Sequence, residues 1–345
     1  MRAHAVAVVS LTMALFAPAV GAAQTPNPTE TCRIGDKRIA ELSGMAADDD
    51  HWYAVNDGGS RISVYVLTRD CRVDRVITNR TDPFDVEDMA LAADGTIWLA
   101  DTGDNGKSRA TVALHKVTED GRATLFRLSY PDGQHDAEAL LLGRDGVPHL
   151  VTKSPFGPAL VYRPAGPLTS PGPTPLVRVG EVRLSSTATP GGPTTVPSAI
   201  NSVLVTGGAV SADGGVVALR TYTDAYLYPA PDGDVVAALA RQPARVPLPN
   251  EPQGEAIAFE PDGTLLSASE GTGQLVRAVP DAVDLVGAPR DTEPARGSDA
   301  APAERDAAAD GNPAGPSGLP TLSGIGVAAV VVLGLLVYLG RRGRR

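Results

Sequence analysis

Five times along the chain a short apolar run meets an acidic turn and is followed by a second apolar run. The stretches start at Ser43, Glu87, Glu138, Thr206 and Glu255, and their turns hold Asp50, Asp94-Gly95, Asp145-Gly146, Asp213-Gly214 and Asp262-Gly263. In each, the starting residue stands seven positions before the turn aspartate. Asp-Gly between apolar runs is a strong hairpin signal, because both residues tolerate the left-handed backbone of a tight turn. Second strands are expected over 52–55, 96–100, 147–151, 216–219 and 264–268.

The turns recur at intervals of 44, 51, 68 and 49 residues. That spacing suits units of four short strands stacked around an axis, so the expected fold class is all-β, a β-propeller. Five blades are the preferred count. Six is the alternative, because the long interval contains a Pro/Gly/Ser/Thr-rich stretch, 164–197, that reads as a surface insertion or as a degraded sixth unit. Only 274–279 follows the fifth hairpin with strand character. The last blade is therefore expected to be completed by an N-terminal strand from 33–42, which closes the ring and removes an exposed edge.

The two ends differ from this repeat. Arg2 and His4 precede an apolar run, 5–17, and the small residues at 20–23, the order of a secretory signal peptide over 1–23. Residues 321–340 carry no charge and are followed by Arg341, Arg342, Arg344 and Arg345, which reads as a C-terminal transmembrane helix with a basic cytoplasmic tail, 341–345. The propeller ectodomain would then occupy 24–286, outside the cell membrane, on a disordered Pro/Ala/Asp/Gly-rich stalk over 287–320.

Charge narrows the partners. The chain carries a net charge of −10, and setting aside Arg2 and the four tail arginines leaves −15 between them. So acidic a domain argues against nucleic acid as a direct partner. Cys32 and Cys71 are the only cysteines, and two thiols in an exported domain most simply form one disulfide.

The hairpin register points to candidate chemistry. Residues equally spaced before and after a turn lie opposite each other on antiparallel strands. The first column is Ser43, Glu87, Glu138, Thr206 and Glu255. The second is Asp57, Asp101, Thr152, Arg220 and Ser269, followed by Gly58, Thr102, Lys153, Thr221 and Glu270. If the hairpins are the inner strands of the blades, both columns converge on one mouth of the central channel. Glu87, Asp101, Glu138, Glu255 and Glu270 would gather there against Lys153 and Arg220, and the turn aspartates would sit at the opposite mouth.

One loop is denser still. Asp101-Thr-Gly-Asp104-Asn105-Gly106 places the oxygen-bearing side chains of Asp101, Thr102, Asp104 and Asn105 beside the strand start Asp85-Val-Glu87-Asp88. Flexible acidic loops suit Ca²⁺, with its 6–8 oxygen ligands, better than the strictly octahedral Mg²⁺. Glu87, Asp101, Asp104 and Glu138 are the candidate metal ligands, with Ca²⁺ as the cofactor. Lys153, Arg220, Glu255 and Glu270 are the candidate ligand-binding residues. Neither a Gly-x-Ser-x-Gly elbow nor a His-Glu-x-x-His or phosphate-loop pattern occurs, so no catalytic residue is assigned. His135 precedes Asp136 and Glu138 and could reach the rim, but a loop histidine without an assigned partner is more often inert.

The units Asp85-Val-Glu87-Asp-Met-Ala, Asp136-Ala-Glu138-Ala-Leu and Gly254-Glu255-Ala-Ile-Ala, with Leu99-Ala-Asp101 and Ser267-Ala-Ser-Glu270, carry a resemblance. Over roughly 38–280 the chain resembles, at the level of its repeat, the phytase-like (esterase-like) secreted β-propeller family. The resemblance implies carboxylates in the central mouth, which in the propeller phytases hold calcium that binds phosphate. Glu87, Glu138 and Glu255 match those rim positions, and Ser43 and Thr206 depart from them.

Two functions follow as expectations. In the first, a membrane-tethered propeller presents its acidic rim to a small-molecule or protein ligand, with calcium structural if present. In the second, calcium and the rim bases hydrolyse an ester or phosphoester, the metal acting as Lewis acid while Lys153 and Arg220 stabilise charge.

Overall fold

The computed structural model describes residues 27–287. The expected signal peptide, the stalk beyond residue 287, the 321–340 span and the basic tail lie outside the described residues. The described chain is all-β and of the propeller type. Strand β1 (Thr29–Arg33) comes first, then a meander of β2 (Leu42–Ala47), β3 (Trp52–Asn56), β4 (Ile62–Leu67) and β5 (Val73–Asn79). A second runs through β6 (Val86–Leu91), β7 (Ile97–Asp101), β8 (Val112–Val117) and β9 (Ala123–Ser129). The third is β10 (Ala137–Leu142), β11 (Pro148–Thr152), β12 (Ala159–Pro164) and β13 (Thr174–Val182). After the short helix α1 (Ser198–Asn201) come β14 (Val205–Val210), β15 (Val216–Thr221) and β16 (Asp224–Pro229), then α2 (Val235–Leu239) and β17 (Ala244–Pro247). Last are β18 (Gly254–Phe259), β19 (Leu265–Ser269) and β20 (Leu275–Val279).

Within each meander the strands pair antiparallel in chain order. The second and third are joined into one eight-stranded sheet by a short parallel pairing of β13 with β9. β1 pairs with β20, so the outer strand of the last sheet comes from the N-terminal end of the chain. The inner strands β2, β6, β10, β14 and β18 lie side by side, and β18 returns to β2.

This packing explains why the inner strands are apolar runs rather than alternating patterns: both faces of each sheet are covered. Five apolar clusters fill the gaps between neighbouring sheets. Met45, Trp52 and Ile39 meet Ala256 and Leu266, and Val55 and Val64 meet Met89 and Leu99. Trp98 and Leu114 meet Leu140 and Tyr162, Leu141 and Val151 meet Val217 and Tyr228, and Leu227 meets Ile257 and Phe259. Each aliphatic side chain buried there stabilises the fold by about 1.5–3 kcal/mol relative to exposure.

The acidic turns form as their sequence predicts in four of the five hairpins. Gly95, Gly146, Gly214 and Gly263 have φ of +80°, +74°, +70° and +89°, where a side chain would be strained. The aspartate before each glycine accepts the N–H two residues on, at 2.9–3.0 Å. In the first hairpin Asp48, rather than Asp50, takes that role, accepting from the N–H groups of Asp50 and His51.

Three expectations are corrected. The closing strand is Thr29–Arg33 rather than a strand within 33–42, because Ile34 and Ile39 are drawn into the apolar gap between the first and last sheets. The 164–197 stretch is not irregular throughout, since Thr174–Val182 within it supplies the outer strand of the third meander. Localisation at the cell membrane through a single C-terminal helix is also corrected. Among the described residues no helix is long and apolar enough to cross a membrane.

Cys32, on β1, is bonded to Cys71, in the turn between β4 and β5, with Cα atoms 5.8 Å apart. The bridge therefore ties the last sheet to the first across the seam of the ring. Closing a loop of 39 residues in the unfolded chain is worth about 3–4 kcal/mol in the chain-entropy account. Replacing both cysteines by serine should lower the unfolding free energy by about that amount, read from urea denaturation against the oxidised parent. An unchanged midpoint would show that the seam holds without the bridge.

Candidate functional site

Each inner hairpin contains one register break, and it falls at the same place in all five. The residue left out of the pairing is Ser43 in β2, Glu87 in β6, Glu138 in β10, Thr206 in β14 and Glu255 in β18. A β-bulge sets two residues against one and re-aims a side chain. The two columns expected from the turn count are thus not directly opposed: Asp101 faces Val86, Thr152 faces Ala137 and Ser269 faces Gly254. In the fourth hairpin Arg220 faces Gly207. The bulge residues are all buried, and neighbouring inner strands are stitched through them. Ser43 Oγ donates to the Glu87 carbonyl at 2.5 Å, and Thr206 Oγ1 to the Gly254 carbonyl at 2.8 Å.

Glu87, Asp136 and Glu138 come together. One carboxylate oxygen from each lies within 4.8 Å of the other two. Lys153, directly after β11, donates from Nζ to Glu138 Oε1 at 2.7 Å and lies 5.1 Å from the centre of the Tyr222 ring. Asp85 reaches the same place from the strand entry. A Cβ on Gly103 would stand 2.2 Å from Glu87 Oε1 and 2.3 Å from Asp85 Oδ2, so the two carboxylates share the space that this glycine leaves. The donors are hard oxygens throughout, the set that suits Ca²⁺, Mg²⁺ or Mn²⁺. This buried acidic cluster can hold a metal ion.

Electrostatics agree with that capacity. Burial pushes the Glu87 carboxyl well above the ordinary carboxylate range, and repulsion from Glu138, Asp85 and Asp136 adds to it. Glu138 is likewise raised by burial, with Lys153 pulling it back and Asp136 and Glu255 pushing it up. Burial also raises Asp136, against Lys153 and the N–H of Asp104. Burial alone would lower Lys153, but Glu138, Glu255, Asp136 and Tyr222 hold its proton well above the ordinary lysine value.

Beside the cluster, Asp88 is wholly buried. Its Oδ2 accepts the N–H of Leu140 at 2.8 Å and of Gly208 at 3.0 Å, and its Oδ1 that of Met89 at 2.8 Å. One carboxylate thus ties together β6, β10 and β14. Burial raises its pKa well above the usual range, while the three N–H donors favour the charged form.

Of the residues singled out from sequence, Glu87 and Glu138 meet and Lys153 joins them. Asp101 is spent elsewhere: it accepts from the N–H of Phe84 at 3.1 Å and of Asp85 at 3.0 Å, and pairs with Arg109 at 2.8 Å and His115 at 3.2 Å. Burial works against its charge, yet His115, Arg109 and these amides keep its pKa below the usual value. Asp104 turns both carboxylate oxygens to the N–H groups of Ser108 and Arg109, while its own N–H donates to Asp136 Oδ1 at 2.8 Å. Arg220 is fully buried, paired with Glu251 at 2.7 Å and donating to the carbonyls of Ala256 and Ala268. It clamps the fourth sheet to the last rather than facing the mouth. Gln253 bridges Glu255 and Glu270. His135 pairs with Asp132 and the Tyr162 hydroxyl at 3.0 Å each, outside the cluster.

Asp85 and Asp136 were not selected as ligands from sequence. The signal was present: Asp85-Val-Glu87 and Asp136-Ala-Glu138 repeat one Asp-x-Glu spacing at equivalent strand entries. A separate cleft of about 770 Å³, lined by Arg144, His149, Arg163, Asp232 and Asp234, lies at the turn end of the third sheet. There Arg144 is bound to the Asp213 carbonyl and Asp234 caps α2, so the convergent chemistry is at the carboxylates instead.

No family model matches the chain, and no curated protein does. Several solved structures are similar. A gluconolactonase from Xanthomonas campestris shows a TM-score of 0.42 at 17% identity, covering 76% of this chain and 98% of its own. The soluble aldose sugar dehydrogenase from Escherichia coli gives 0.42 at 13%, covering 74% and 100%. Virginiamycin B lyase from Staphylococcus aureus gives 0.34 at 13%, covering 70% and 66%. At such scores the likeness carries no argument about activity, and the propeller fold rests on the strand pairing above. The phytase-like name finds no support among these proteins.

A carboxyl with a raised pKa holds more protons folded than unfolded. Its stabilising effect is complete below the ordinary range, near pH 4.5, and is lost as pH rises through the raised value. Lys153 stays protonated throughout that window. In chelator, the protein should therefore melt a few degrees higher at about pH 5.5 than at about pH 7.5, and Glu87→Gln should remove part of the difference. A Glu87→Gln protein with the full difference would show that Glu87 ionises normally.

Proposed function

We propose that the protein is a five-bladed propeller that holds one hard divalent cation, with calcium as the ion to test, at Glu87, Asp136 and Glu138. The cation is presented at the channel mouth to a ligand that completes its coordination. The observation that carries this reading is the convergence of three buried carboxylates on one point with Lys153 as the neighbouring cation. Unneutralised carboxylates are costly to bury, and a divalent ion offsets that cost as protonation would, without surrendering the charge. Three carboxylates leave part of a 6–8 oxygen shell open, which defines the ligand class as an oxygen donor small enough to enter the mouth. Once bound, the ion would supply Lewis acidity there. Lys153 orients Glu138, Gln253 holds Glu255 and Glu270 at the border, and Asp88 ties the three inner strands together beside it.

The test compares two double mutants. At a calcium concentration about 100 times its dissociation constant the parent should gain about 2.7 kcal/mol, a rise in melting temperature of roughly 5–10 °C. Glu87→Gln with Glu138→Gln should abolish the rise. Asp145→Asn with Asp262→Asn, at the opposite mouth, should leave it intact. Equal loss in both pairs, or no calcium effect on the parent, would overturn the reading.

A further inference from the structure

The 101–104 loop looked from sequence like a ligand-bearing segment, yet its carboxylates are engaged elsewhere. Its bonds run instead to the entries of two inner strands. On one side Asp101 accepts the N–H groups of Phe84 and Asp85, and the N–H of Gly103 donates to the Asp85 carbonyl at 3.2 Å. On the other, Thr102 Oγ1 donates to the Ala137 carbonyl at 2.7 Å, and the Ala137 N–H returns to the Thr102 carbonyl at 3.3 Å. The N–H of Asp104 then holds the Asp136 carboxylate. Arg109 locks the loop from behind, donating to Asp101 at 2.8 Å and to the Gly103 carbonyl at 2.7 Å. The loop thus spans the gap between β6 and β10, the strands that carry Glu87 and Glu138.

We propose that this loop is the positioning element of the carboxylate centre. It sets the separation of the β6 and β10 entries, and Gly103 leaves the room that the Asp85 and Glu87 carboxylates share. The inference rests on the cation reading above. Its physical content is that residues making no contact with the ion decide how tightly it is held. Any side chain at 103 would collide with both Asp85 and Glu87. Thr102 reaches the centre through Ala137, which stands between Asp136 and Glu138.

Calcium titration of the full chain by calorimetry, with melting temperatures in chelator alongside, tests this. Substitutions behind metal ligands weaken binding by roughly 10–100-fold, and Gly103→Ala should fall in that range. Thr102→Val keeps shape but removes the hydroxyl and should weaken binding by roughly tenfold, while Thr102→Ser should restore it. Gly106→Ala, in the same loop but clear of both carboxylates, should bind like the parent. The chelator melting temperature of Thr102→Val should match that of Thr102→Ser, which separates positioning from stability and keeps the test usable if Gly103→Ala does not fold. Parent-like affinity in Gly103→Ala or Thr102→Val would overturn this inference while leaving the cation reading standing. A parent that takes up no calcium would overturn both.

Discussion

Each inner strand carries one residue more than its partner can pair, and the candidate site depends on that surplus. In an unbroken ladder successive side chains alternate between the two faces, and those faces here are the apolar gaps between sheets. The bulge interrupts the alternation once per hairpin, at Ser43, Glu87, Glu138, Thr206 and Glu255. A carboxylate can thereby leave the apolar gap without breaking the strand that carries it. Beyond the bulge the pairing resumes, and Met89, Leu99 and Ala139 return to the core.

The same geometry concentrates charge. Burial raises Glu87, Asp136 and Glu138, Glu138 and Asp136 push Glu87 further and Asp136 pushes Glu138, and Lys153 offsets part of the rise in each. Asp88, one residue away, meets the cost of burial differently, by accepting three backbone N–H groups from three strands. One carboxylate fastens β6, β10 and β14, while burial and neighbouring carboxylates press its neighbour toward the neutral acid. Adjacent residues of nearly the same chemistry thus differ in what surrounds them, backbone donors for Asp88 and other carboxylates for Glu87.

Closure of the ring is shared among several unlike devices. β1 supplies the last sheet's outer strand, Ile34 and Ile39 fill the seam, and the Cys32–Cys71 bond spans it. The buried Arg220–Glu251 pair does comparable work between the fourth and last sheets, where Gly254 gives the guanidinium its room. A buried pair of this kind is strongly destabilising to break, by about 3–5 kcal/mol, because the surviving charge has no solvent. Cations that sequence reasoning assigns to a mouth can therefore be held in the wall.

The sequence by itself determined the hairpins. Asp-Gly turns, flanking apolar runs and the recurring strand starts are local patterns, and local patterns fix local backbone; the pairing of Cys32 with Cys71 followed from there being no other thiol. It also marked Glu87, Glu138 and Lys153. Only the tertiary structure decided the rest. The bulges shift the register at the strand entries, Asp101 is claimed by Arg109 and His115, and Asp104 is turned back on its own loop. Arg220 finds Glu251, 31 positions away. Asp136 enters the site because a loop from the preceding sheet holds it there. A carboxylate's role depends on which donors and charges stand within a few ångströms. Some of those neighbours lie in the same meander, as Lys153 does for Glu138, and others in the adjoining one, as Glu87 does, so the site is defined only once the meanders pack side by side.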